Sequence, residues 1–488
     1  MRVSHSPELV SAAFDDPNLV SCVGLAPVVA LAQRCGLAQL VAGTLTLPAR
    51  GGVNAHLKVP ALIAGMVAGA DSIDDMDLLR HGGMDRLFGG VRAPSTLGTF
   101  LRTFTFGHVR QLDHVASAML AELAHRTPLL AGGDQVAYVD IDDTVKATYG
   151  YAKQGAGFGY SGVKGLNALI ATVSTPLSAP VICATRLRKG STNSARGASR
   201  LVADALKAAK GAGAGGPDGT GLIVLRADSA FYNHDVIAAA RRAGVRFSVT
   251  ARMSPALNTA ISSIGEDDWT PITYPNAVWD DDEQRLISDA EIAEIAEIAE
   301  IADTAFTSRR KADHIEGRLI VRRVKRLNPT TIKPKPTSAT TKATKATDSA
   351  PEQQELFSLY RYHAVFSDSP LILTQAEKTH RGHAIIEQVH ADLKHGPLAH
   401  LPSGSFQANS AWLVMAAIAF NLTRATGCLA SAFHARATTG TIRAQLINVP
   451  ARLAHSARTL RLHLPTNWPW EPAWTQMFDA TQGPPATA

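Results

Sequence analysis

The sequence predicts a mixed α/β protein with a helical N-terminal region, and three observations carry that prediction. Residues 1 to about 130 hold short segments with apolar positions at three- and four-residue spacing, VVALAQRCGLAQLV and VPALIAGMVAGA among them. From Gln135 the pattern changes to strand-like apolar runs: VAYVDID, LNALIATVS, APVICATRL, GLIVLRAD and GVRFSVTA. Helical stretches at Ala195–Lys210 and His234–Ala243 fall among them, so the order is strand, strand, strand, helix, strand, helix, strand.

Composition narrows the class. A chain of 488 residues suggests roughly three folding units, and 45% hydrophobic residues exclude global disorder. The cysteines (Cys22, Cys35, Cys183, Cys428) lie far apart and form no CxxC pair, which argues against a zinc ribbon or disulfide scaffold and fits a reducing cytosol. The net charge of +6 hints at a polyanionic partner. The opening MRVSHSPELVSAAFDD lacks the basic head and apolar core of a signal peptide. The uncharged stretch Gly165–Thr185 is broken by Pro176 and Pro180, and reads as two buried strands rather than a membrane span.

Within the N-terminal region, VVALAQRCGLAQLV, VPALIAGMVAGA, SIDDMDLLRHGG and PSTLGTFLRTF read as short helices separated by glycine turns. That order is compatible with a helix-turn-helix, in which Ser95–Arg110 would offer Arg102, His108 and Arg110 to DNA, but its pattern is weak and an ordinary helical bundle is the favoured reading. After the α/β segment, GAGAGGPDGTG (Gly211–Gly221) is a glycine loop on its edge, and residues 253–366 interrupt the pattern. There the triplet Ala-Glu-Ile repeats from Ala290. Its period of three drifts around a helix, so it reads as a solvated helix whose Glu291, Glu294, Glu297 and Glu300 are a charged face rather than catalysts. GRLIVRRVKRL follows as a basic strand, and TIKPKPTSATTKATKATDSAPEQQ as a disordered linker. Arg309 to Thr347 contains twelve Lys or Arg and two Asp or Glu, so the strand residues Arg322, Arg323 and Lys325 are candidate phosphate contacts. Arg186, Arg188 and Lys189, read as a loop, are further candidates.

The last part reads as a helix, HRGHAIIEQVHADLKHG, stopped by Gly396-Pro397; a strongly apolar core helix, NSAWLVMAAIAFNLTRA, capped by Asn409 or Ser410; and an irregular Trp/Pro-rich tail. The predicted boundaries are 1–130 helical, 131–252 first part of the α/β core, 253–366 β-rich insertion, 367–430 second part of the core and 431–488 tail.

Carboxylates at the ends of buried strands are the chemical candidates. Asp140 and Asp142 share one face of their strand while Asp143 points to the other, and Asp228 ends a second strand. Such groups are costly unless paired or metal-bound, and Mg²⁺ favours carboxylate oxygens together with substrate phosphates. Glu387 is the third: His380, His383, Glu387, His390 and Lys394 fall at spacings of 3, 4, 3 and 4 on one helix face. Glu377–His380 and Glu387–His390 are both Glu-x-x-His, but within one helix they cannot converge on a di-iron centre. HExxH, P-loop and dinucleotide motifs are absent.

The ordered set DIDDT, RADSAFYN and HRGHAIIEQVHADLKHG, followed by LPSGSFQANSAWLVMAAIAFNL, resembles the DDE transposases of bacterial insertion sequences. Within them it is similar to the insertion sequence 1380 family, related to the cut-and-paste enzymes with a Tyr-Arg-Glu-Lys signature. The resemblance covers most of residues 130–425. It implies an RNase H-like catalytic core split by the β-rich insertion, with the N-terminal helical region binding DNA. It implies Asp142, Asp228 and Glu387 as the metal ligands and catalytic carboxylates, 86 and 159 residues apart, with two Mg²⁺ ions for which Mn²⁺ substitutes. Lys394, after six intervening residues, matches the family lysine that contacts DNA phosphate. His380 and His383 stand where the signature has Tyr and Arg, with Arg381 adjacent, and all three are implied DNA contacts. Asp140 competes with Asp142 for the first position. The implied partners are double-stranded DNA, as transposon end and target, and a second copy of the chain in a homodimer. The implied location is the bacterial cytoplasm, on the nucleoid. A related nuclease without strand transfer, or an inactive DNA-binding relic, are the alternatives.

Overall fold

A computed structural model describes residues 4–149, 153–159, 161–274, 277–280, 284–289, 294–326, 360–456 and 459–482. The chain forms two compact units, one from residues 1–223 with 384–488 and one from residues 224–383. The N-terminal helices therefore share a unit with the first three long strands.

The first unit begins with helices Leu25–Arg34, Leu37–Thr44, Ala55–Ala68, Pro94–Leu101 and Phe106–Arg126. Ser95–Arg110 is not one recognition helix. The chain turns after Leu101, the buried Phe100 and Phe104 rings pack edge to face at 5.3 Å, and Thr105 starts a new helix through a capping box with His108. Arg110 points into ion pairs with Asp113 (2.7 Å) and Asp204 (2.8 Å). Two of the three side chains expected on DNA are thus committed inside the unit.

The three strands read from the sequence form as an antiparallel meander. The aspartate strand, Val136–Ala147, pairs with Lys164–Ser174, which pairs with Val181–Lys189. Helix Ala198–Gly211 packs on this sheet through Leu201, Val202, Ala205 and Leu206. Arg186–Lys189 is strand, not loop, so its side chains alternate between faces and Arg188 enters the core.

Helix Phe406–Ala430 is the centre of the unit. It is apolar on every side, and such a helix belongs in a core. It is long and apolar enough to cross a bilayer, but most of it is buried, against helices Ala55–Ala68 and Phe106–Arg126 and strand Val181–Lys189. Its N-cap is Ser405, four residues before the expected Asn409. Asn409 instead pins the preceding loop, accepting from the Ser403 amide (2.9 Å) and donating to its carbonyl (2.7 Å). The tail is not irregular: Glu471–Gln482 is a helix that buries Trp474 and Met477.

Asn421, also on the central helix, joins it to the sheet. Its side chain accepts from the Ile182 amide at 2.8 Å and donates to the Ile182 carbonyl at 2.7 Å. Asn421→Leu is expected to destabilise the protein by about 2–4 kcal/mol, because two buried backbone groups lose their partners. A urea unfolding midpoint within error of wild type would contradict that role.

The second unit opens with a parallel pair, Leu222–Ala227 and Arg246–Thr250, joined by helix His234–Arg242. Strand Arg361–Ser367 adds antiparallel to Arg246–Thr250, followed in sheet order by the basic strand Ile315–Arg326, then Glu294–Ala305, then Thr270–Ile272. The Ala-Glu-Ile repeat is therefore a strand over its described part, not a solvated helix, while Glu291 and the linker 327–359 lie outside the described residues. Ala and Glu favour a helix locally, but tertiary pairing overrides this. A period of three on a period-two strand gives each face Ile, Ala and Glu in turn, and the acids meet the basic strand. Glu297 accepts from Arg323 Nε at 2.7 Å and Glu300 from Arg318 at 2.9 Å.

HRGHAIIEQVHADLKHG is two helices, Leu373–Arg381 and Ile385–Lys394, separated by a 3-10 turn at Gly382–Ala384. The expected single stripe is broken there. His380 and His383 belong to the second unit, and Glu387, His390 and Lys394 to the first.

Candidate active site

The three neighbouring aspartates of the aspartate strand have different surroundings. Asp143 faces the core, where it is ion-paired with Arg188, and both side chains are under 10% exposed. Asn167 joins the pair, donating to Asp143 at 2.9 Å and accepting from Arg188 Nη2 at 2.7 Å. Arg188 also donates to the Ser194 and Arg196 carbonyls at 2.7 and 2.9 Å. A buried charge is tolerable when its donors are met in this way. The arginine expected to touch phosphate is thus a buried link between strands.

Asp140 and Asp142 lie on the opposite face from Asp143. Asp140 is completely buried, whereas the Asp142 side chain is 24% exposed. Asp142 accepts from the Asp143 amide at 2.7 Å, and its other oxygen lies 3.5 Å from His390 Nδ1. The glutamate helix, Ile385–Lys394, packs on the aspartate strand and brings His390 to it. Glu387 is exposed in the first turn of that helix, and Lys394 is half-buried in its last. The first unit thus sets two of the three sequence-predicted carboxylates on adjoining elements. His390, noted in the sequence as part of the stripe and of a Glu-x-x-His pair, is the helix residue brought to Asp142.

In the second unit Asp228 ends its strand and caps the turn that follows, accepting from the Ala230 amide at 3.0 Å. The neighbouring Arg226 is buried and donates to the Thr379 carbonyl at 2.7 Å, which ties the strand to helix Leu373–Arg381. His380 is held at both ring nitrogens, 3.0 Å from Ser248 Oγ and 2.9 Å from Thr250 Oγ1. His383 is half-buried in the turn between the helices.

Most of the other expected phosphate contacts are committed internally. Arg381 donates from Nε to both oxygens of the buried Glu377 (2.7 and 2.9 Å), and its guanidinium lies 4.5 Å from the Tyr274 ring centroid. Arg322 bonds to Tyr274 Oη at 3.1 Å and lies 3.4 Å from Glu377. Arg323 is 5% exposed, paired with Glu297 and Glu266, and sandwiched between Trp269 (4.3 Å) and Tyr360 (4.5 Å). Burial weighs on its charge, but Glu266 and Glu297 more than offset it and raise its pKa. Arg186 pairs with Asp204 at 3.1 Å and its pKa is lowered, first by burial and then by Arg110. Beside it, burial pushes the Asp113 carboxyl up to about 6 against the pull of Arg110. Lys189 is exposed, and Lys325 and Lys394 are half-buried. The expectation of an arginine-lined phosphate surface is corrected for Arg188 and Arg323, whose side chains are buried and paired.

The candidate carboxylates fit a hard divalent cation in donor type, since Asp142, Asp228 and Glu387 each offer oxygens at a partly or fully exposed position. Among the described residues no group of three His, Cys, Asp or Glu is gathered as a metal site. Asp228 belongs to the other unit from Asp142 and Glu387.

A family model described as transposase DDE domain, group 1, matches residues 4–316 and 367–483. The unmatched stretch between them holds most of the basic strand and the linker. No curated protein gives a significant match.

Proposed function

The chain belongs to the transposase DDE domain group 1 family, and from that premise we propose that it binds the ends of an insertion sequence, cleaves them and joins them to target DNA. The observation that carries this reading is the pairing of Asp142 with the glutamate helix through His390, at 3.5 Å. That pairing sets two carboxylates of the expected order on adjoining elements. The order of elements supports an RNase H-like core: an antiparallel meander, a helix, then a parallel βαβ pair. The strands from Thr270 to Ser367 would be the insertion that splits it, and the N-terminal helices would bind DNA.

Asp142, Asp228 and Glu387 are the proposed ligands for Mg²⁺, with Asp142 preferred to the wholly buried Asp140. Held by these carboxylates, such an ion would supply activation of a water or a 3′-hydroxyl for in-line attack on phosphorus and stabilisation of the leaving oxygen. The chain's own residues prepare that step. His390 orients the Asp142 carboxylate, the Asp143–Arg188–Asn167 link fixes the strand beneath it, and Lys394 supplies a cation for a backbone phosphate. His380, bound at both nitrogens, would act by holding helix Leu373–Arg381 on strand Arg246–Thr250. Lys189, Lys325 and His383 remain proposed DNA contacts. A homodimer and a cytoplasmic location follow from the same reading.

A target-joining assay with pre-cleaved ends separates a transposase from a nuclease. The transposase reading expects covalent joining of the 3′ end to a second duplex. Cutting of intact ends with no joining would favour the nuclease instead.

A further inference from the structure

The strand face that carries Asp142 continues beyond it. Side chains two residues apart share a face, so Asp142, Thr144 and Lys146 stand in line, and all three are half-buried. The glutamate helix packs on this strand, with His390 at Asp142, and Lys394 follows His390 by one turn. The Lys146 ammonium is pushed below its ordinary range first by burial and then by Lys394, with Asp71 opposing. Asp71 is itself 2.7 Å from His400 Nδ1. Directly after the strand, Thr148 Oγ1 is buried with no hydrogen-bond partner among the described residues.

The backbone holds this end of the strand firmly. The Thr148 amide donates to the Lys164 carbonyl at 3.1 Å, and a Cβ added to Gly165 would overlap the Lys146 carbonyl oxygen. Two like charges drawn together in a partly buried setting repel, and a bound anion relieves that repulsion.

We infer that Lys146 is a second phosphate-positioning residue, which with Lys394 grips a backbone phosphate of the bound DNA beside the carboxylates. The inference rests on the transposase reading and adds a residue to it. Neither lysine takes part in the chemistry; each fixes the position of the strand to be cut.

The test is DNA binding by the full chain as a function of salt, on a duplex carrying the element's end and on an unrelated duplex of equal length. For Lys146→Gln the slope of log K against log salt is expected to be shallower by about 0.9, one phosphate contact fewer. Lys146→Arg is expected to keep the wild-type slope. A loss confined to the end duplex would mark a phosphate of the element's end, and an equal loss on both would mark a phosphate gripped without regard to sequence. Wild-type slopes for Lys146→Gln on both duplexes would overturn the inference, as would an equal loss in the Arg variant, which would indicate packing. A wild-type chain that binds neither duplex overturns the transposase reading, and this inference with it.

Discussion

Asp143→Ala is expected to destabilise the first unit by about 3–5 kcal/mol, because it strips a buried arginine of its counter-ion. Arg188 would keep Asn167 and its backbone carbonyl acceptors, but would lose the buried carboxylate it pairs with. The measurement is the unfolding midpoint in urea. Replacing both partners, Asp143→Leu with Arg188→Met, is expected to recover much of the loss, since the apolar pair leaves no charge to desolvate. If Asp143→Ala unfolds within about 1 kcal/mol of wild type, the ion pair is not the link between strands described above.

The adjacent residue should behave in the opposite way. Asp142→Asn keeps the side chain's shape and its bond from the Asp143 amide, so stability should stay within about 1 kcal/mol of wild type. Cleavage of end DNA should fall by roughly 10³-fold or more, about 4 kcal/mol of lost transition-state stabilisation, because an amide is a poor ligand for Mg²⁺. DNA binding should persist, since the proposed phosphate contacts are cations elsewhere. Asp140→Asn provides the contrast, because Asp140 is wholly buried. If Asp140→Asn abolishes cleavage in a normally folded protein while Asp142→Asn leaves cleavage intact, the first ligand is Asp140.

Much of this was legible in the sequence because local pattern and tertiary fold agree. The strand runs from Val136, Leu166, Val181, Leu222 and Val245 fall on strands, and the helices between them lie where periodicity set them. The facing of Asp142 and Asp143 to opposite sides follows from strand alternation alone. The Ala-Glu-Ile repeat departs from its expected helix for a physical reason. Its residues are helix formers, and only the arginines of a partner strand, 18 and 26 residues after the glutamates they meet, give those glutamates a reason to extend. The same pairing explains why a dense basic run is a poor guide to DNA contacts: Arg318 and Arg323 are answered by the repeat, and Arg322 by Glu377 and Tyr274. The break at Gly382 is invisible to residue spacing, which reads faces but not turns. A Cβ there would meet Arg226 Nη1 at 2.7 Å, a constraint visible only once the strand and helix are together. Lys146 is equally silent in the sequence, because a lone lysine at a strand end carries no motif.

Glu387 is proposed to act with the aspartates in a metal-dependent nuclease centre. The most direct test is nicking of a labelled duplex, carrying the DNA that borders the reading frame, by wild-type and Glu387→Gln protein with Mg²⁺ and with chelator. The expected result is nicking by wild type in Mg²⁺ alone, with the Glu387→Gln variant binding the same duplex and leaving it intact. Nicking by that variant at the wild-type rate would contradict the claim.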